Sequence, residues 1–148
     1  MEQRLSLVTL GVRDLTRARR FYEEGLGWTR NAGVEGEVAF YQLGGAILAL
    51  WGRENLANDA RLDLAAATPG KSFGGLALAY NTRDEAEVDS VLEQAAAAGA
   101  TVLKPAEKTD WGGYAGYFAD PDGHPWEVAH NPFWTLGEDG SVSLEAPK

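Results

Sequence analysis

The chain predicts an α+β fold made of two tandem β-α-β-β-β modules, and three observations predict it. The first is an internal echo: Tyr117 to Val128 reads as strand, tight turn, strand, and Phe40 to Leu50 repeats that plan around Gly44-Gly45. The second is a pair of helical stripes, Leu15, Ala18, Phe21, Tyr22 and Val88, Val91, Leu92, Ala95, each following a strand pattern and each stopped by glycine. The third is size: 148 residues with 45% hydrophobic and 24% charged positions fit one soluble domain or two small fused modules. A domain of this length buries roughly 68–70% of the surface its unfolded chain exposes, so a sizeable core is within reach.

The elements follow in order. Leu5 to Val12 alternates with aliphatic residues on both sides, the pattern of a strand buried on two faces. Asp14 is placed to cap a helix, which Gly25 and Gly27 end. Trp28 to Asn31 and Glu37 to Leu43 read as strands, and Gly44-Gly45 is expected to supply the positive backbone angles of a hairpin into Ala46 to Trp51. Phe73 to Tyr80 opens the second copy. Thr82-Arg83-Asp84-Glu85 matches a capping box for the second helix, and Gly99 stops it. Thr101 to Lys104 is a short strand that Pro105 ends or confines to a sheet edge. Tyr114 to Ala119 and Pro125 to His130 form the last hairpin, joined by Asp120-Pro121-Asp122-Gly123, in which every residue suits a turn. The expected organisation is a first module over 1–52, a linker with a short helical turn over 53–72, a second module over 73–130 and a C-terminal tail over 131–148 that packs a short hairpin.

Composition excludes several classes of function. A formal net charge of −9 repels phosphate backbones, so the footprint of a general nucleic-acid binder is missing. That charge reads either as a device for solubility or as long-range attraction for a cationic small molecule, and charge alone does not choose between the two. No apolar run approaches the roughly 20 residues of a membrane span, and Met1-Glu2-Gln3-Arg4 lacks a signal-peptide pattern; a cytoplasmic location is expected. With no cysteine, disulfides, thiolate metal sites and cysteine nucleophiles are excluded. The glycine pairs lack the Gly-Lys-Ser/Thr of a phosphate-binding loop, and Ser6, Ser72 and Ser90 lack a nucleophile elbow.

Three stretches, Val8-Thr9-Leu10-Gly11-Val12-Arg13-Asp14-Leu15, Phe21-Tyr22-Glu23-Glu24-Gly25-Leu26-Gly27-Trp28 and Asp120-Pro121-Asp122-Gly123-His124-Pro125-Trp126-Glu127-Val128, resemble the vicinal oxygen chelate superfamily of glyoxalases, bleomycin-resistance proteins and extradiol dioxygenases. The resemblance spans about residues 5 to 130. It implies curled half-barrel sheets around a cleft, a divalent metal held there in enzyme members, and a homodimer. Residue by residue, the metal-ligand pattern implied by the resemblance falls on Leu7, Ala49, Gly75 and Glu127, and only Glu127 carries a donor. Divalent ions need several oxygen or nitrogen donors within about 2.0–2.6 Å, so no tightly bound metal and no cofactor are expected. A one-residue register slip would turn Ser6 or Thr9 inward instead, and neither brings an imidazole.

The ligand-binding candidates are Ala49, Trp51, Phe73, Trp111, Tyr114 and Glu127. By alternation Trp51 shares a strand face with Ala49, and Phe73 is in phase with Gly75. Trp111 sits in a glycine-hinged loop suited to closing over a site. Planar rings stack on flat heterocycles or cations at little entropic cost, and the same rings serve equally well as core. Glu127 reads as a carboxylate for a cationic ligand or as a proton acceptor; its plain alternative is a solvated or arginine-paired group left by the fold. His130 lies on the opposite strand face from Glu127, and His124 lies in a turn, so both are expected to be structural. The expected function is therefore metal-free binding of an organic, cationic or aromatic small molecule. Its alternative is a lyase, isomerase or oxygenase that uses a divalent metal held by Glu127 with His130 or Asp110. A metal-free enzyme would instead use Glu127 as general base with Tyr114 or Tyr117 as hydrogen-bond donor.

Overall fold

The computed structural model describes residues 5–61 and 76–143, together with Met1, Gln3 and Leu64. The chain forms two compact units, residues 1–67 and 68–148, and the fold class is α+β as the sequence predicts. In the first unit β1 (Leu7–Val12) runs parallel to β4 (Ile47–Gly52), followed antiparallel by β3 (Val38–Gln42) and β2 (Ala32–Val34), in the order β1-β4-β3-β2. In the second unit β5 (Leu78–Asn81), β8 (Pro125–His130), β7 (Tyr114–Ala119) and β6 (Thr101–Lys108) lie in the order β5-β8-β7-β6. The two orders are the same path traced twice. A further hairpin, β9 (Thr135–Leu136) with β10 (Val142–Ser143), comes from the tail.

Each sheet buries one face under a helix. In the first unit α1 (Leu15–Arg19) is capped by the Asp14 carboxylate, which accepts from the Arg17 N–H, and widens into a π-helical segment, Arg20–Gly25. Phe21 and Tyr22, adjacent in sequence, are both buried there with rings edge to face at 5.0 Å. Tyr22 also meets Trp28 and Tyr41, so the sheet face carrying Tyr41, Leu48 and Leu50 is the helix-covered one. In the second unit α3 (Glu85–Ala97) buries Val88, Leu92 and Ala95. Leu92 comes so close to β7 that a Cβ at Gly116 would lie 2.7 Å from its Cδ1. Gly116, Val128, Phe118 and Trp126 therefore share the helix-covered face, with the last two rings stacked at 6.1 Å.

Four local expectations are revised. Trp28 to Asn31 is not a strand: Trp28 is drawn into the aromatic core and donates its N–H to the Tyr22 carbonyl, and strand pairing starts only at Ala32. Gly44 and Gly45 do not take positive φ; in the first unit Gly33 and Gly36 do, and Gly33 must be glycine because a Cβ would meet the Val38 carbonyl oxygen at 2.2 Å. The box that starts α3 is shifted by two residues. Asp84, not Thr82, accepts from the Glu87 N–H at 2.8 Å, and Glu87 reaches back to the Arg83 N–H at 2.7 Å. The Thr82 hydroxyl is occupied with the Asp84 carbonyl. Finally, β6 runs on through Pro105 to Lys108, as an edge strand with two register irregularities. After β4 the first unit adds α2 (Arg53–Asp59), and among the described residues no helix is long and apolar enough to cross a membrane.

Candidate functional site

The face of the second sheet turned away from α3 carries Glu127 on the inner strand β8. Register places Tyr117 of β7 and Ala79 of β5 on either side of it. Cross-strand partners on one face stand about 4.5–5.5 Å apart at Cβ, close enough for a phenol and a carboxylate to meet. The Tyr117 phenol is accordingly within reach of the Glu127 carboxylate's influence. Burial first, and then this carboxylate, push the Tyr117 hydroxyl above its ordinary range, while Lys104 opposes the shift. Lys104 is the register partner of Tyr117 on β6, and its ammonium pairs with Glu107 at 3.0 Å. The same face carries Ala115, Ala119 and Ala129, all buried, and register adds Pro125 of β8, Asn81 of β5 and Glu107 of β6. A half-buried carboxylate and a phenol thus stand side by side on this face, with an ammonium on the neighbouring edge strand.

In the first unit the matching face, again the one turned from the helix, carries Ala49 and Trp51 on β4. Ala49 pairs with Phe40 and Thr9, and Trp51 with Val38 and Gly11. Trp51 is half-buried beside bare backbone, because Gly11 has no side chain and Arg53 and Leu56 of α2 close in over it. Ala49 is buried and Leu7 exposed, and neither offers a donor atom. Among the described residues no group of three or more His, Asp or Glu side chains converges as a metal site would require. Gly75 and Phe73 lie outside the described residues.

The other candidates fall elsewhere. Tyr114 is on the α3 side of its strand, where its hydroxyl donates to Asp89 at 2.9 Å, so Glu127 is joined by Tyr117 and not by Tyr114. Trp111 lies in the turn between β6 and β7 with its indole folded over Gly113, which leaves no room for a Cβ there, and it is 45% exposed. His130 is the register partner of Tyr114 on the face opposite Glu127, as alternation predicts, with Nδ1 3.4 Å from the Thr82 carbonyl. His124 stays in its turn, Nδ1 at 2.8 Å from Asp120 Oδ2. Lys104 is the residue that sequence reasoning missed. The sequence marks it only as the end of a short strand, and the irregular pairing of β6 brings it beside Tyr117.

Comparison with known proteins agrees with this fold. The family model described as Glyoxalase/Bleomycin resistance protein/Dioxygenase superfamily matches residues 4–128. A glyoxalase-related enzyme from Fulvimarina pelagi is 43% identical over 98% of this chain and 100% of its own, with a TM-score of 0.88. A glyoxalase/bleomycin resistance protein/dioxygenase from Nocardioides is 25% identical over 88% of this chain and 84% of its own, at a TM-score of 0.72. Lactoylglutathione lyase from Agrobacterium tumefaciens shares the fold at 23% identity, covering 90% and 98% of the two chains with a TM-score of 0.67. No protein of curated function matches the chain.

Proposed function

The chain belongs to the glyoxalase/bleomycin resistance protein/dioxygenase superfamily, and on that premise we propose that it binds an organic small molecule, cationic or aromatic, without a resident metal. The observation that carries this reading is the half-buried Glu127 carboxylate set beside Tyr117 on the face turned away from α3. A half-buried carboxylate has lone pairs with which to accept from a ligand N–H or to face a cationic centre. The net charge of −9 adds attraction for a cation. Trp51 is proposed as a stacking ring on the matching face of the first unit. Metal-free binding is supported by the side chains themselves: Leu7 and Ala49 have no donors, and Glu127 alone is too few for a divalent ion. A cytoplasmic homodimer completes the proposal; the exposed Leu7, Trp111 and Phe133 are apolar surface that a second copy would cover.

The test is titration with planar organic cations, antibiotics among them, and with their neutral analogues, followed by tryptophan fluorescence and sedimentation. Hydrogen bonds to a charged partner are worth roughly 1.5–3 kcal/mol, so Glu127→Gln should weaken the cations about tenfold to a hundredfold and leave the neutral analogues nearly unchanged. Equal affinity of the two proteins for the cations, or a folded wild type that binds none of them, overturns the proposal. A second reading is favoured by the 43% identical relative being described as a glyoxalase-related enzyme. In it Glu127 takes a proton from carbon next to a carbonyl while Tyr117 donates a hydrogen bond to the developing enolate oxygen. Deuterium exchange into such a substrate, abolished by Glu127→Gln, selects this reading. Stoichiometric metal in protein purified without chelator rejects the metal-free form of both.

A further inference from the structure

A pocket of about 320 Å³ opens in the second unit where the ends of β5 and β8 meet the tail hairpin. Its walls include Asn81, Arg83, His130, Asn131, Trp134 and Leu136. Four of these six lie beyond residue 128, outside the segment that the family model matches, so the site is built jointly by the module and by this chain's tail. The volume is at the small end of the range in which ligand sites fall, about 300–1,000 Å³.

The chemistry of the lining is one-sided. Among the described residues that line it, Arg83 is the one with a formal charge and none is Asp or Glu. The guanidinium donates to the carbonyl oxygens of Gly137 and Glu138 at 3.2–3.3 Å, which fastens the hairpin and leaves the positive charge uncancelled by those neutral partners. The neighbouring carboxylates are turned to other work: Asp84 accepts from the Glu87 N–H, and Glu87 from the Arg83 N–H and the Tyr80 hydroxyl. Asn131 Oδ1 accepts from the Phe133 N–H, so its amide nitrogen is left to donate elsewhere. The same lining includes the apolar Leu136 and the indole of Trp134, which is 45% exposed. The charge of the whole chain does not override the arginine, because beyond about 8 Å it is largely screened at physiological salt.

We propose that this pocket binds a small aromatic carboxylate, its anionic end on Arg83 and the amide groups of Asn81 and Asn131, and its ring against Trp134 and Leu136. The experiment is nuclear magnetic resonance titration of the full chain with benzoate, and with benzamide as its uncharged isostere. Benzoate should shift the signals of residues 81–83, 130–136 and 142, and bind at least tenfold more tightly than benzamide. Trp134→Ala should weaken benzoate several-fold, and Arg83→Gln should remove its advantage over benzamide. Should Arg83→Gln release the hairpin, visible at Gly137 and Glu138, the wild-type pair of ligands and Trp134→Ala still decide. Glu127→Gln should leave benzoate binding unchanged, which separates this site from the one proposed above. Equal binding of benzoate and benzamide, or shifts confined to the Glu127 face, would overturn the assignment.

Discussion

Gly116 and Gly44 have the same side chain and opposite tolerances. A Cβ at Gly116 would come within 2.7 Å of Leu92 Cδ1 and 2.9 Å of both the Ala106 nitrogen and the Lys104 carbonyl oxygen, whereas one at Gly44 meets nothing within 4 Å. Backbone atoms cannot step aside as a rotamer can, so Gly116→Ala should cost about 1–3 kcal/mol in urea denaturation. Gly44→Ala should stay within about 0.5 kcal/mol, since φ there is not positive either. Neither outcome is legible in the sequence, where Gly44-Gly45 looks like the constrained pair. Asp120 shows the reverse. Its carboxylate is nearly buried and accepts from the N–H groups of Asp122 and His124 at 2.9 Å, the turn role that its place in Asp120-Pro121-Asp122-Gly123 announces. Glu127 was readable as an inward carboxylate because alternation along a strand is local. Its partner was not, because the choice between Tyr114 and Tyr117 depends on which face α3 covers.

At the scale of the element, α3 begins where a carboxylate can reach the free N–H groups of its first turn. Asp84 does this and Thr82 cannot, since its side chain is buried and bonded to the Asp84 carbonyl. Asp84→Ala should therefore destabilise the second unit by about 1 kcal/mol, read as a lowered midpoint in a thermal melt, and Asp84→Ser should recover most of it. Two overlapping patterns, Thr82 with Glu85 and Asp84 with Glu87, were both present in the sequence. What selected the second was burial of Thr82, a tertiary fact. The edge strand β6 divides in the same way. Pro105 announces an edge, and the edge position follows; the irregular register that sets Lys104 against Tyr117 depends on the partner strand. The hairpin of β7 and β8 has the bounds that its turn residues predict, because a tight turn and two alternating runs need no distant information.

Across the whole molecule, acidity sets the response to pH. In the first unit Arg19 holds the Glu23 carboxyl below its usual range through a hydrogen bond at 2.9 Å, and the Tyr41 hydroxyl adds to it at 3.0 Å. A carboxyl depressed in the folded state stabilises above its unfolded value near 4.5 and loses that contribution as pH falls through the folded value. Glu23→Gln should thus lower the melting temperature at pH 7, and the gap between variant and wild type should close as the buffer is taken below about pH 4. A constant gap from pH 7 to 3 would mean that packing of the side chain, and not its charge, is what counts. Glu35 is depressed likewise, chiefly by its hydrogen bond from Arg30, and sits in the same network. The repeat is a whole-molecule property too: both units thread their strands in one order, although Ala49 stands on one face and Glu127 on its counterpart.

The order of elements, the duplication, the β7–β8 hairpin and the opposite facing of Glu127 and His130 were determined by sequence alone, since each rests on periodicity or turn chemistry among near neighbours. The tertiary structure alone decided the companions: Tyr117 and Lys104 at the carboxylate, Trp28 in the core instead of a strand, and the tail hairpin fastened by Arg83 to close a pocket. The reason is range. A side chain's face follows from its neighbours in sequence, but what it touches is chosen by residues that only folding brings near.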